Sequence, residues 1–322
     1  MTTRPSSEIK YFNEKNRFAL SFERSCKDSG VRDGDLIAIY SCIWSVAQLL
    51  NIKLFTGQTK KHDSSRRYIS VDQARLPDGL CVYAIGDIHG MSRLAKKMTA
   101  KILSQIEQVE DRIEIIVLGD MIDRGPDSSG TLEALLEVRR KHVNRLSLRF
   151  LKGNHEQMLL DFLHEPERAG TRWLANGGDA TLQSYGIRIP HHPIGGQYRF
   201  MRDELMAVMP TEHINCLSNL QSKHEIGDYF FCHAGVRTGH ALAEQSEEDL
   251  LWLRAAPDDV DLPFERVVIH GHRPVHEPTA GRHHINVDTG AYATGRLTAI
   301  RLRGSDRQFM STDMSETKET ID

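Results

Sequence analysis

An α/β fold on a mainly parallel sheet is what the sequence predicts, and three observations carry that reading. Short runs rich in Val, Ile, Leu, Phe and Tyr alternate with helix-like runs after Leu76. The helix-like runs repeat their apolar residues every three or four positions. The strand-like runs end at a glycine beside a polar residue, where open α/β sheets bind their ligands.

The first strands are "CVYAIGD" (81–87), "IEIIVLGD" (113–120) and "LSLRFLKGN" (146–154). Between the first two, Leu94, Met98, Ile102, Ile106 and Val109 form one apolar helix face. Between the second and third, "SGTLEALLEVRRKH" reads as a helix capped by Ser128 or Ser129. This order implies right-handed βαβ units. Later strands are "YFFCH" (229–233), "RVVIHGH" (266–272), "HINVD" (284–288) and "LTAIRL" (297–302), the last two flanking a turn-rich "TGAYATGR". A polar tail, 303–322, is expected to be disordered. Before the domain, which is expected over 76–302, residues 1–75 form an extension without recognisable chemistry. Within it, 56–70 reads as a linker.

Composition narrows the class. With 39% apolar and 26% charged residues, the chain resembles an ordinary soluble protein. A formal net charge of −3 argues against a general nucleic-acid binder. The first residues are too polar for a secretory signal. The apolar run Leu36–Leu50 contains Ser41, Ser45 and Gln48 and falls short of the roughly 20 residues of a spanning helix, so a docked helix is favoured over a membrane anchor. Cys26, Cys42, Cys81, Cys216 and Cys232 are too scattered for a zinc motif and read as reduced thiols of a cytoplasmic protein. Cys81 and Cys232 sit in strand-like runs and are expected to be buried and inert.

The strand ends carry the chemistry. Asp87 and His89 lie in "GDIHG"; Asp120, Asp123 and Arg124 in "GDMIDRG"; Asn154 and His155 in "GNHE"; His233 and His272 follow the later strands. Singly, each has a bland explanation: a solvated loop for Asp-x-His, a helix cap for Asn154, a core histidine for His233. Five such clusters at five strand ends point to one place. The donors are oxygen and nitrogen without thiolate, which suits Mn²⁺, Fe or Zn²⁺. They exceed one ion's needs, so two ions sharing a carboxylate, about 3.5–4 Å apart, fit better. With an arginine fork for phosphate oxygens, the implied reaction is phosphoester hydrolysis.

These segments, with "HAG" (233–235) and "GH" (271–272), resemble the calcineurin-like metallophosphoesterases. The arginine of GD-x-x-DRG is similar to that of the phosphoprotein phosphatase branch, including bacterial serine/threonine phosphatases. The resemblance covers residues 76–302 and implies a four-layer αββα fold, a β-sandwich of two mixed sheets flanked by helices. It implies Asp87 and His89 on one metal, Asp120 bridging, and Asn154, His233 and His272 on the other. It further implies Arg124 and Arg254 (from "DLLWLRAA") as phosphate grips and His155, oriented by Asp123, as the acid protonating the leaving oxygen. The nucleophile would be a hydroxide bridging two divalent ions, Mn²⁺ foremost. Of the three histidines in "IHGHRPVHEP", His272 matches the ligand; His270 is expected to support it and His276 to lie solvated on the rim. The superfamily's second histidine, of Gly-His-x-His, is Pro274 here. Residues 164–228 resemble a helical insertion of bacterial members, expected to wall the cleft.

The expected substrate is a phosphoserine or phosphothreonine protein. The alternatives are a symmetrical dinucleoside tetraphosphate or other small phosphate ester, with Trp173 and Tyr185 available to stack a base, and, remotely, an inactive binding scaffold.

Overall fold

The computed structural model describes residues 68–106, 111–254 and 264–314. Readings placed on residues 1–67, including Leu36–Leu50, Cys26 and Cys42, lie outside the described residues. Among the described residues, no helix is long and apolar enough to cross a membrane.

The first sheet has β1 (Leu80–Ile85) at its centre, parallel to β2 (Arg112–Val117), which is parallel to β3 (Leu146–Phe150). The crossovers are α1 (Ser92–Ile106) and α2 (Ser128–Lys141). Strand side chains alternate between faces, and both faces of β1 are apolar because both are covered. Cys81, Tyr83 and Ile85 pack with Met98 and Ile102 of α1 and Leu135 of α2. Leu80, Val82 and Ala84 pack toward the second sheet. Of the α1 stripe, Leu94, Met98, Ile102 and Ile106 are all buried as periodicity predicts, while Val109 lies outside the described residues. The α2 cap is different from the expected serines. Asp127 is the N-cap, its carboxylate accepting from the Gly130 amide at 2.8 Å.

After β3 come α3 (Asn154–His164), α4 (Pro166–Trp173), a kink at Leu174–Gly178 where Gly177 takes φ 98°, α5 (Asp179–Ser184), α6 (Gly196–Val208) and α7 (Thr211–Ser218). The second sheet follows, in the order β4 (Lys223–Ile226), β5 (Tyr229–Cys232), β6 (Val267–His270), β8 (His284–Asn286), β7 (Thr279–Ala280). Its centre, β5–β6–β8, is parallel and both edges are antiparallel. Tyr229, Phe231, Val267 and Ile269 meet the first sheet, while Phe230, Cys232 and Val268 face Leu250 of α8 (Glu247–Trp252). The result is the expected sandwich with helices outside. Cys81 and Cys232 are buried free thiols, and burial pushes the Cys232 pKa up to about 12.

Two boundaries differ from the sequence reading. Residues 303–313 do not belong to a disordered tail. β9 (Arg296–Arg303) turns into β10 (Asp306–Asp313), which pairs along its length with β9 as the sheet's antiparallel edge. Polar composition misled because an edge strand buries only part of its side chains, here Met310 and Thr312. Nor does the domain begin at 76. Ile69, Val71 and Ala74 are buried in the inter-sheet core, and the Ile69 amide donates to Phe264 O at 3.0 Å.

Candidate metal centre

The strand-end loops are tied together by backbone bonds before any side chain is considered. The Ile88 and His89 amides both donate to Asp120 O, at 3.0 and 2.8 Å. Glu156, fully buried, accepts from three amides in two loops: Asp120 and Gly153 at 2.8 Å, Met121 at 2.7 Å. Burial and the neighbouring Asp120 charge push its pKa up to about 7. A side chain at Gly153 would sit 2.1 Å from Asp120 Oδ1, so this approach requires glycine. Of the six non-glycine residues with positive φ among the described residues, five belong to the candidate site: His89, Asp120, Asp123, Arg124 and His272.

Asp120 is the hub. Its Oδ1 accepts from the His155 amide in the first turn of α3, at 3.1 Å, which leaves Oδ2 facing inward. Oδ2 lies 3.4 Å from His89 Nε2, 3.4 Å from His233 Nε2 and 3.9 Å from His155 Nε2. Burial opposes its ionisation, but His233 and His155 hold it well below the usual carboxylate range. Two triads with metal-ligand spacing share it: His89, Asp120, His155 and Asp120, His233, His272.

The donor chemistry fits cations. His89 Nδ1 lies 3.0 Å from Ile122 O, and His233 Nδ1 lies 3.0 Å from Leu118 O. A carbonyl only accepts, so each Nδ1 carries a proton and each Nε2 is left as the inward atom. His233 Nε2 then faces Asn154 Oδ1 at 2.9 Å, His272 Nδ1 at 3.1 Å and Asp120 Oδ2. Neutral His233 would thus point a lone pair at two oxygen acceptors. Burial resists a second proton there, yet Asp120 and Asp87 outweigh it and push the pKa up to about 10. A divalent cation would take that proton's place. These observations support a site for two metal ions without identifying the metal.

The remaining residues fall around this centre. Asp87 is buried and accepts from the His272 amide at 3.2 and 3.1 Å; burial and then Asp288 raise its pKa. His155 joins the first triad by distance, but its Nδ1 lies 2.8 Å from Asp123 Oδ2 and its buried Nε2 has no hydrogen-bond partner. Burial would depress the His155 pKa, but Asp120 and Asp123 outweigh it and raise it. Arg124 has its backbone amide on Gly177 O at 3.0 Å and its guanidinium 4.8 Å over the Tyr292 ring. Arg254 is exposed beyond the end of α8, near enough to contribute to lowering the His272 pKa after burial and His233. His270 is buried with Nδ1 on Gly271 O, and His276 is exposed beside Glu277.

Gly153, not Asn154, caps α3, and Asn154 Oδ1 faces His233 Nε2 at 2.9 Å. Three residues escaped the sequence reading. Glu156 stands inside GNHE, and Asp288, buried beside Asp87, ends the run "HINVD"; both signals were present. Tyr292, whose ring meets His89 edge-on at 5.2 Å, had no such signal. Trp173 is not available for base stacking, and Tyr185 is half-buried with its hydroxyl engaged. Trp173 is fully buried with Nε1 donating to Asp123 Oδ2 at 2.9 Å, and the Tyr185 hydroxyl bonds His213 Nδ1 at 2.7 Å. Their sequence context could not reveal these internal partners.

Comparison with known proteins adds three findings. The calcineurin-like phosphoesterase family matches residues 81–301. A bis(5'-nucleosyl)-tetraphosphatase PrpE (asymmetrical) of Bacillus cereus is 27% identical over 244 residues, spanning 67% of this chain and 88% of its own. Among solved structures, a cold-active protein-tyrosine phosphatase of a psychrophilic Shewanella aligns with TM-score 0.47 and 15% identity, over 73% of this chain and 83% of its own.

Proposed function

The chain belongs to the calcineurin-like phosphoesterase family, and on that premise we propose that it hydrolyses small phosphate esters and anhydrides, dinucleoside tetraphosphates foremost. The observation that carries the reaction class is Asp120 Oδ2, one buried carboxylate oxygen within 3.9 Å of three imidazole nitrogens. The substrate class follows the likeness to the Bacillus cereus tetraphosphatase. It replaces a protein substrate as the leading reading.

Asp87 and His89 would hold one divalent ion and Asn154, His233 and His272 the other, with Asp120 shared between them. Mn²⁺ heads the candidates for this oxygen and nitrogen set, ahead of Fe and Zn²⁺. Bound there, such ions supply Lewis acidity: they activate water and offset charge on a phosphoryl group. Arg124 and Arg254 grip the phosphate oxygens, Arg124 held between the Gly177 carbonyl and the Tyr292 ring. His155 gives its Nε2 proton to the leaving oxygen while Asp123 holds Nδ1.

The test is a substrate panel with Mn²⁺ added: diadenosine tetraphosphate, phosphoserine and phosphothreonine peptides, and p-nitrophenyl phosphate, compared by kcat/KM. The expected leader is diadenosine tetraphosphate, split asymmetrically by one water into AMP and ATP. A phosphopeptide preferred by about tenfold, roughly 1.4 kcal/mol of transition-state binding, overturns the substrate reading in favour of a protein phosphatase.

A further inference from the structure

The segment between GNHE and HAG reaches the reacting residues from behind. Asp123 is fully buried, and its carboxylate is held at both oxygens. Oδ2 accepts from His155 Nδ1 at 2.8 Å and from Trp173 Nε1 at 2.9 Å. Oδ1 accepts from Thr181 Oγ1 at 2.6 Å. An indole N–H only donates, so the Trp173 bond has one direction. The Thr181 hydroxyl gives its single proton to Asp123 and lies 2.8 Å from Ser128 Oγ, while the Asp123 amide donates to both hydroxyl oxygens at 3.0 Å.

We propose that Trp173 and Thr181 are positioning residues for leaving-group protonation, clamping the Asp123 carboxylate so that it holds His155 at the reacting phosphate. A carboxylate turns freely about its Cβ–Cγ bond unless both oxygens are engaged. Donors on both fix its plane, and the plane fixes the His155 ring. Trp173 is itself immobilised: its ring lies 4.6 Å from Phe162, and a side chain at Gly178 would sit 2.4 Å from the indole. Residues 166–184 are therefore part of the acid's mounting, not merely a wall of the cleft. The proposal rests on the reading of His155 as the acid.

Trp173→Phe removes the N–H and keeps most of the ring; Thr181→Val removes the hydroxyl at nearly constant volume. Each is assayed on phenyl phosphate, whose leaving group needs a proton, and p-nitrophenyl phosphate, whose leaving group needs little help. The expected result is a fall in kcat of about tenfold on phenyl phosphate and under about threefold on p-nitrophenyl phosphate. That is part of the roughly 10²–10⁴-fold that general acid catalysis supplies. KM and the two-ion metal content stay unchanged, and Thr181→Ser restores the rate. His155→Asn is the reference. If it fails to widen the gap between the two substrates, the acid assignment fails. If it widens the gap but Trp173→Phe and Thr181→Val slow both substrates equally or neither, the positioning role alone is overturned. Should Trp173→Phe not fold, Thr181→Val with its serine rescue decides alone.

Discussion

The triad of His89, Asp120 and His155 is drawn from two loops and a helix start on the first sheet alone, whereas Asp120, His233 and His272 takes one residue from the first sheet and two from the second. The first set is braced by backbone bonds among its own loops and by the Glu156 carboxylate. The second is assembled where β5 and β6 end, so its geometry depends on how the two sheets meet. A cation held by the first set organises chemistry on an already braced surface. A cation held by the second also joins the halves of the sandwich.

The largest effect should come from the residue the two sets share. Asp120→Asn is expected to lower kcat/KM on the order of 10⁴-fold, over 5 kcal/mol of transition-state stabilisation, with both ions lost in elemental analysis. Two ions still bound would separate the triads and end the bridging assignment. His155→Asn sharpens membership of the first set: a loss of about 10²–10⁴-fold with two ions retained marks an acid, while loss of an ion marks a ligand.

Thermal stability tests the joining role. Ions at a hundredfold excess over their dissociation constant stabilise by about 2.7 kcal/mol, roughly 5–10 °C in Tm for a domain of this size. Chelation should remove that increment from the native protein and from His89→Gln, but much less from His233→Gln. Equal chelator responses in the two variants would show that the sets contribute alike to stability. The smallest effect belongs to a polar link between the sheets at their edge, where Glu114 of β2 meets His224 of β4 at 3.1 Å and Arg149 of β3 at 2.9 Å. Burial opposes the Glu114 charge, but His224 and Arg149 outweigh it and hold the pKa below its ordinary value of 4.5. A depressed carboxylate contributes stability above the unfolded pKa and loses it as pH falls through the folded one. Below about pH 4.5 the native protein should therefore lose a stability increment that Glu114→Gln lacks, read from urea midpoints.

What the sequence disclosed was local. Asp87, His89, Asp120, Asn154, His233 and His272 stand at the ends of apolar runs with a glycine adjacent or one residue away, a pattern visible without knowing which strands pair. Contributions from afar were not visible. Thr181 reaches Asp123 across 58 residues, and Glu156 reaches the Asp120 amide across 36. No spacing rule links an ordinary threonine to a distant carboxylate. β10 was lost for a related reason, since its partner supplies the order that its composition does not. Arg254 is marked by the local segment "DLLWLRAA", and it stands exposed past α8 with its charge felt at His272.

The left-handed backbone at His89, Asp120, Asp123, Arg124 and His272 has an energetic consequence. Each such residue costs on the order of 1 kcal/mol, so the five together cost roughly 5, comparable with the 5–15 kcal/mol by which a typical domain is stable. The surrounding sandwich carries that strain permanently, whether or not substrate is present. Glycine at any one of these positions would relax the backbone but strip out the side chain it aims, and at Asp120 and Asp123 it would leave buried donors without an acceptor.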